Sequence, residues 1–368
     1  MRVNRRTFLQ GSALLAASNL AGLPLDTVMA SSRPPRTLQE KVGQLFVVSF
    51  PGTSPDPAFL SLLQRNRFGG VVLYGRNYSS PGQLRALLAR LQEASSYPLL
   101  VCTDQEGGSV VRLRRGVHTF PSEAVYGRAG WTARVDADAA TTAHDLHALG
   151  LTMNLAPVAD VLSNGRSPIG DRAFGSDPRL VARLTTAAVH GYQQHGLAAA
   201  VKHFIGLGHT SIDSHQSLPT VTQTLGQLEG ADLLPFRAAV AAGVSTILVA
   251  HVALPAIDPV HRPASLSPVI IGGVIRKHLG FKGVVMTDSL AMGALPQGST
   301  ADAAERALAA GADMLLISAD HDIPAGVFDT AVERVIAAVR AGRISQSRLD
   351  SAVARIVALK STYPSVLR

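Results

Sequence analysis

Eight short apolar runs recur along the chain, each followed by glycine or polar residues and then by a stretch with helical spacing. The runs are QLFVVSF (44–50), GGVVLYG (69–75), PLLVCTD (98–104), LTMNLAPVAD (151–160), AAAVKHF (198–204), STILVAHV (245–252), GVVMTD (283–288) and ADMLLIS (312–318). Continuous Val/Leu/Ile runs of this kind suit strands buried on both faces, as in a parallel sheet. Between them, segments 81–95, 136–150, 177–196, 225–243 and 300–311 repeat apolar residues at helical intervals. Asp177-Pro178 forms a good N-cap and first-turn pair, and Gly196, Gly243 and Gly311 stand where helices should stop. Eight strands alternating with helices predict an α/β fold, a single-domain (β/α)8 barrel. A doubly wound open sheet is the structural rival, weakened because the first strand is not followed by a glycine-rich phosphate turn.

A barrel places its active-site groups at the C-terminal ends of strands and in the loops just beyond. The polar residues follow that rule: Asp104, Asp160, Lys202 with His203, His251 and Asp288 each close a different apolar run. Any one alone could serve a local structural need. Asp288 could cap the next turn, and Lys202 could form an ion pair with a neighbouring barrel carboxylate. Taken together they can do chemistry. A carboxylate at Asp288 could attack an electrophilic carbon or steady developing positive charge. Lys202 and His203 could donate to sugar hydroxyls. In Asp213-Ser214-His215, the aspartate can fix the ring tautomer and raise its basicity, so the imidazole can give and recover a proton near neutrality. Its place in a loop would let it swing in when substrate binds.

The first thirty residues stand apart. They begin basic, turn moderately apolar and end at Val28-Met29-Ala30, which resembles a signal-peptidase site; Arg5-Arg6-Thr7-Phe8-Leu9 has the look of a twin-arginine export signal. Residues 1–30 are therefore expected to be an export leader, with the catalytic domain over 31–368 and the mature protein periplasmic or extracellular. No later run approaches the ~18 apolar residues of a membrane span. The single cysteine, Cys102, cannot form an internal disulfide, which fits folding before export. The formal charge of +8 drops to +6 once Arg2, Arg5, Arg6 and Asp26 are removed. That favours polyanionic surroundings such as cell wall, but with 5% aromatic residues and no basic run among them, nothing points to nucleic acid.

Lys202-His203-Phe-x-Gly-x-Gly followed by Asp213-Ser-His215, with TDQEGGSVVRL upstream and VVMTDS downstream, resembles glycoside hydrolase family 3, within it the single-domain β-N-acetylglucosaminidases. The likeness runs from about residue 38 to 360 with its motifs in order. It implies that Asp288 is a nucleophile forming a covalent glycosyl-enzyme, and that His215 is the general acid/base, oriented by Asp213. It further implies that Asp104, Arg112, Arg172, Lys202 and His203 bind the sugar, with no cofactor and no metal. The implied activity is retaining removal of terminal β-linked N-acetylhexosamine from peptidoglycan fragments (muropeptides) or chitooligosaccharides by a monomeric or weakly associating enzyme. Where subgroup members commonly read K-H-F-P-G-H-G-D, this chain has Ile205, Leu207 and His209 in place of proline, histidine and the acidic residue.

Retaining glycosidases usually employ two carboxylates. A neutral imidazole in place of the second would not repel an incoming anion, so a phosphorylase is the runner-up. A non-catalytic sugar-binding protein would keep the subsite yet lose the nucleophile or proton shuttle, and both are present. A metal-dependent amidohydrolase would need His-x-His closing the first strand, which FVVSFPG lacks. Substrate-assisted cleavage wants paired acids, whereas Asp288 is followed by Ser289.

Overall fold

Each predicted apolar run supplies a strand. The computed structural model describes residues 34–295, 300–319 and 321–367, and the expected leader over 1–30 lies outside the described residues. Pro34–Arg368 forms one compact unit. In chain order the strands are β1 (Phe46–Val48), β2 (Gly70–Leu73), β3 (Leu100–Thr103), β4 (Gln105–Gly107), β5 (Val110–Val111), β6 (Met153–Asn154), β7 (Ala198–Phe204), β8 (Thr246–Val249), β9 (Val284–Thr287) and β10 (Leu315–Ile317). Eight of them make a wholly parallel sheet in the order β10-β1-β2-β3-β6-β7-β8-β9. A bridge between Met286 and Met314, with the Thr287 N–H donating to the Met314 carbonyl at 3.0 Å, joins the two outer strands into a barrel. Almost every residue of the eight strands is buried, as expected for strands covered on both faces.

The helices between the strands form where the sequence supplies caps and apolar stripes. Pro178–Gln194 begins as anticipated, with the Asp177 carboxylate accepting from the Arg179 N–H at 2.9 Å. Gly196 and Gly311 end their helices with φ of 80° and 118°, a region that favours glycine.

Three local features differ from the sequence pattern, and each shapes the site. The helix expected over 225–243 is two pieces, Leu225–Glu229 and Leu233–Ala241. Pro235 has no N–H to give a continuous helix, so the chain restarts at Asp232 and frees its carboxylate for another partner. The run 151–160 pairs as a ladder only at Met153–Asn154, because Pro157 cannot donate; it rejoins the sheet through Val158, bridged to Lys202. A small antiparallel hairpin, β4–β5, follows β3 directly and was not foreseen.

The tip of β7 is bulged: Val201 pairs with Ile247 and Phe204 with Val249, so three steps on β7 span two on β8. A bulge re-aims side chains, which lets the adjacent Lys202 and His203 both reach the same cleft. Phe204 anchors this tip, its ring lying edge-on to Phe236 of Leu233–Ala241 at 4.9 Å between centroids. Such a contact contributes about 1 kcal/mol beyond area burial.

Candidate active site

At the C-terminal end of the barrel a cleft of about 360 Å³ is lined by residues from the ends of seven of the eight barrel strands and from the loops after them. That volume lies in the range of small-molecule sites. The eight residues singled out from the sequence divide between direct lining and support. Asp104, Arg112, Arg172, Lys202, His203, His215 and Asp288 all line the cleft, and Asp213 holds His215 from behind.

One wall is a network of ion pairs. Lys202, only 2% exposed, places Nζ 2.6 Å from Asp104 Oδ1 and 2.5 Å from Glu106 Oε1. Arg172 grips Glu106 with both prongs, Nε to Oε2 and Nη2 to Oε1 each at 2.8 Å. Burial opposes charge on Glu106, but Lys202 and Arg172 outweigh it and hold the carboxyl down to about 2. Lys202 is likewise raised above its ordinary value: desolvation works against its charge, and Asp104 and Glu106 prevail. The ion-pair role considered for Lys202 is therefore real, and it coexists with a place on the cleft wall. Arg112 completes the wall, 3.6 Å from Asp104 and stacked over the Tyr74 ring at 5.3 Å.

His203 is held from both sides. Its Nδ1 lies 2.7 Å from Asp160 Oδ2 and its Nε2 lies 3.3 Å from Arg172 Nη2. A carboxylate can only accept, so the Asp160 contact places a ring proton on Nδ1.

Opposite in character is the pair Asp213–His215. His215 Nδ1 is 2.7 Å from Asp213 Oδ1, which also accepts the His215 backbone N–H at 2.9 Å. Burial would raise the Asp213 carboxyl, but the N–H and ring of His215 keep it below its ordinary value. The His215 side chain is 68% exposed, so Nε2 is free to meet a ligand.

Asp288 follows β9 and is partly open to the cleft. Its Oδ1 accepts from the Ser289 N–H at 2.8 Å. Desolvation pushes its carboxyl up, yet His251, His203, the Ser289 N–H and His215 together leave it lowered, so it is a carboxylate at neutral pH. His251, another strand-end candidate, does not enter the cleft. It is fully buried, with Nε2 2.8 Å from the Ser289 carbonyl and Nδ1 2.7 Å from Ser265 Oγ. The carbonyl requires a proton on Nε2, so His251 supports the segment after Asp288 from behind, and burial lowers its basicity.

Glu106 and Tyr74 were missed from the sequence. Glu106 lies two residues beyond Asp104, the spacing that puts two extended residues on one face, and that was its one available signal. Tyr74 sits directly after β2, with its hydroxyl 2.9 Å from Ser318 Oγ. The substituted position His209 faces away from the cleft: Nε2 meets Asp232 Oδ2 at 2.8 Å and Nδ1 meets Ser163 Oγ at 2.7 Å.

Fold and site together define a parallel (β/α)8 barrel enzyme whose cleft suits a polyhydroxylated ligand. Residues 37–359 match the Glycosyl hydrolase family 3 N terminal domain, and the chain belongs to that family and is a glycoside hydrolase. It is 40% identical over 275 residues to a beta-hexosaminidase of Alkalilimnicola ehrlichii, spanning 72% of this chain and 78% of that one. A beta-hexosaminidase of Stenotrophomonas maltophilia is 37% identical over 280 residues, 74% of this chain and 83% of its own. A family 3 beta-N-acetylglucosaminidase structure from a Paenibacillus species superposes with a TM-score of 0.86 at 40% identity, covering 89% of this chain but 63% of that larger one. The beta-N-acetylhexosaminidase of Beutenbergia cavernae superposes with a TM-score of 0.81 at 31% identity, covering 89% of this chain and 99% of its own.

Proposed function

We propose that this chain is a retaining β-N-acetylglucosaminidase that releases terminal β-linked N-acetylhexosamine from peptidoglycan fragments or chitooligosaccharides. The observation that carries the reading is the convergence of Asp288 and the Asp213-oriented His215 on one cleft, beside a wall rich in charged hydrogen-bonding groups. The names of the similar enzymes support the N-acetylhexosamine specificity.

In this reading an Asp288 oxygen bonds to the anomeric carbon as the bond to the departing oxygen breaks, and His215 Nε2 gives its proton to that oxygen. Water then adds to the anomeric carbon as the Asp288 ester bond breaks, and His215 takes the proton from the water. Two displacements retain the configuration. Asp213 accepts from Nδ1 throughout and steadies the imidazolium. Asp104, Arg112, Arg172 and Lys202 bind sugar hydroxyls, while Asp160 and Arg172 fix His203 beside them.

The decisive measurement is trapping. A fluorinated N-acetylglucosaminyl fluoride should leave one sugar on the peptide that contains Asp288, seen by mass spectrometry, and Asp288→Ala should abolish both labelling and turnover. A label on another residue would overturn the assignment of nucleophile. Incubation with chitobiose and phosphate should yield free sugar; a sugar 1-phosphate as main product would favour a phosphorylase.

A further inference from the structure

The acid/base turn and the segment after the nucleophile are stitched together through backbone. The Gly293 N–H donates to the His215 carbonyl and the Ala294 N–H donates to the Ser214 carbonyl, both at 3.0 Å. Gly293 lies only five residues beyond Asp288, and it lines the same cleft. Its Cα is packed against the turn so closely that an added Cβ would stand 2.5 Å from the His215 carbonyl oxygen and 2.7 Å from that of Gln216. Those atoms are backbone, so the contact can be relieved only by a shift of backbone and not by turning a side chain aside. Elsewhere the turn is held at its return arm, where Val221 N–H donates to the Ala253 carbonyl and Ala253 N–H to the Pro219 carbonyl. Between these anchors the His215 side chain remains largely exposed.

We propose that Gly293 is a positioning residue that sets the distance between the proton donor and the nucleophile, by letting the His215 turn seat directly on the backbone that follows Asp288. This rests on the acid/base reading of His215 given above. A side chain at 293 lifts the turn, and His215 with it, while leaving Asp288 and the charged wall in place. Displacing a catalytic group by about 1 Å costs on the order of a hundredfold in rate.

The test is the leaving-group dependence of Gly293→Ala. Chitobiose needs protonation of its departing oxygen, whereas a dinitrophenolate leaves without it. For the variant, kcat/KM on chitobiose should fall about ten- to hundredfold, and kcat/KM on dinitrophenyl N-acetylglucosaminide should stay within about threefold of the unmodified chain. On the dinitrophenyl substrate kcat and KM should drop together, because the second step also needs His215. Azide, which attacks without base assistance, should restore kcat and yield the glycosyl azide. Equal losses on both substrates, or none on either, would overturn the proposal. Should Gly293→Ala fail to fold, hydrogen exchange on the unmodified chain decides: the 293 and 294 amides must be protected to the level of β9, and free exchange there would also overturn it. If the unmodified chain releases N-acetylglucosamine from neither substrate, it is the functional reading that fails.

Discussion

Glu106 shows how much of this site depends on a single buried side chain. It meets Lys202 and both prongs of Arg172, so its buried charge is paired with two cations through three contacts. Removing one partner from such a group leaves uncompensated cations, typically at a cost of about 3–5 kcal/mol. Glu106→Gln should lower the denaturation free energy by roughly that amount and raise KM more than it lowers kcat, since Lys202 and Arg172 would lose their orientation toward the cleft. Equilibrium denaturation and steady-state kinetics on an aryl N-acetylglucosaminide check both. A variant as stable as the unmodified chain would contradict the pairing described. From the sequence, Asp104 was legible as a strand-end carboxylate, but Glu106 lay past the strand, in a hairpin whose return through Arg112 no local pattern announced.

Among the elements, the segment from β7 to the His215 turn carries His209, and the structure gives that residue a definite partner. Its ring bridges Asp232, at the restart of the broken helix, and Ser163 in the loop after β6. The hydrogen bond that the ring donates to Asp232 raises the His209 pKa above 6.5, with partial burial opposing it. A raised value means that the ion pair contributes its full stability below about pH 6.5 and loses it as the pH climbs through the folded-state value. Asp232→Asn should therefore melt well below the unmodified chain at mildly acidic pH, and the gap should narrow in alkaline buffer. Thermal melts across that range measure it, and a gap independent of pH would rule out the ion pair. The break that frees Asp232 was readable from Pro235 in hindsight, although the apolar spacing on both sides suggested one continuous helix.

For the molecule as a whole, acid is the predicted weakness. Glu106 is held down to about 2 against an ordinary 4.5, and Asp288 and Asp213 are lowered as well. Lowered carboxylates stabilise the fold above their unfolded-state values, and that contribution fades as the pH falls through the folded ones. The Glu106 share is roughly 3 kcal/mol at neutrality, lost progressively from about pH 4.5 toward 2. Denaturant midpoints followed down the pH scale should show this decline, and Glu106→Gln should flatten it. An unchanged slope in the variant would assign the acid sensitivity to other groups.

The sequence by itself determined the eight barrel strands and their order, the barrel they form, and the ends at which Asp104, Lys202, His203 and Asp288 emerge. It also determined the Asp213–His215 pairing. All of these are written in local periodicity, strand ends and near-neighbour spacing, which need no knowledge of the distant chain. Only the tertiary structure decided that His251 supports rather than reacts, that Glu106 joins Lys202 and Arg172, and that Gly293 seats beneath the His215 turn. Those contacts link segments tens to a hundred residues apart, and barrel closure, which sets their distances, is a property of the assembled sheet and of no stretch within it.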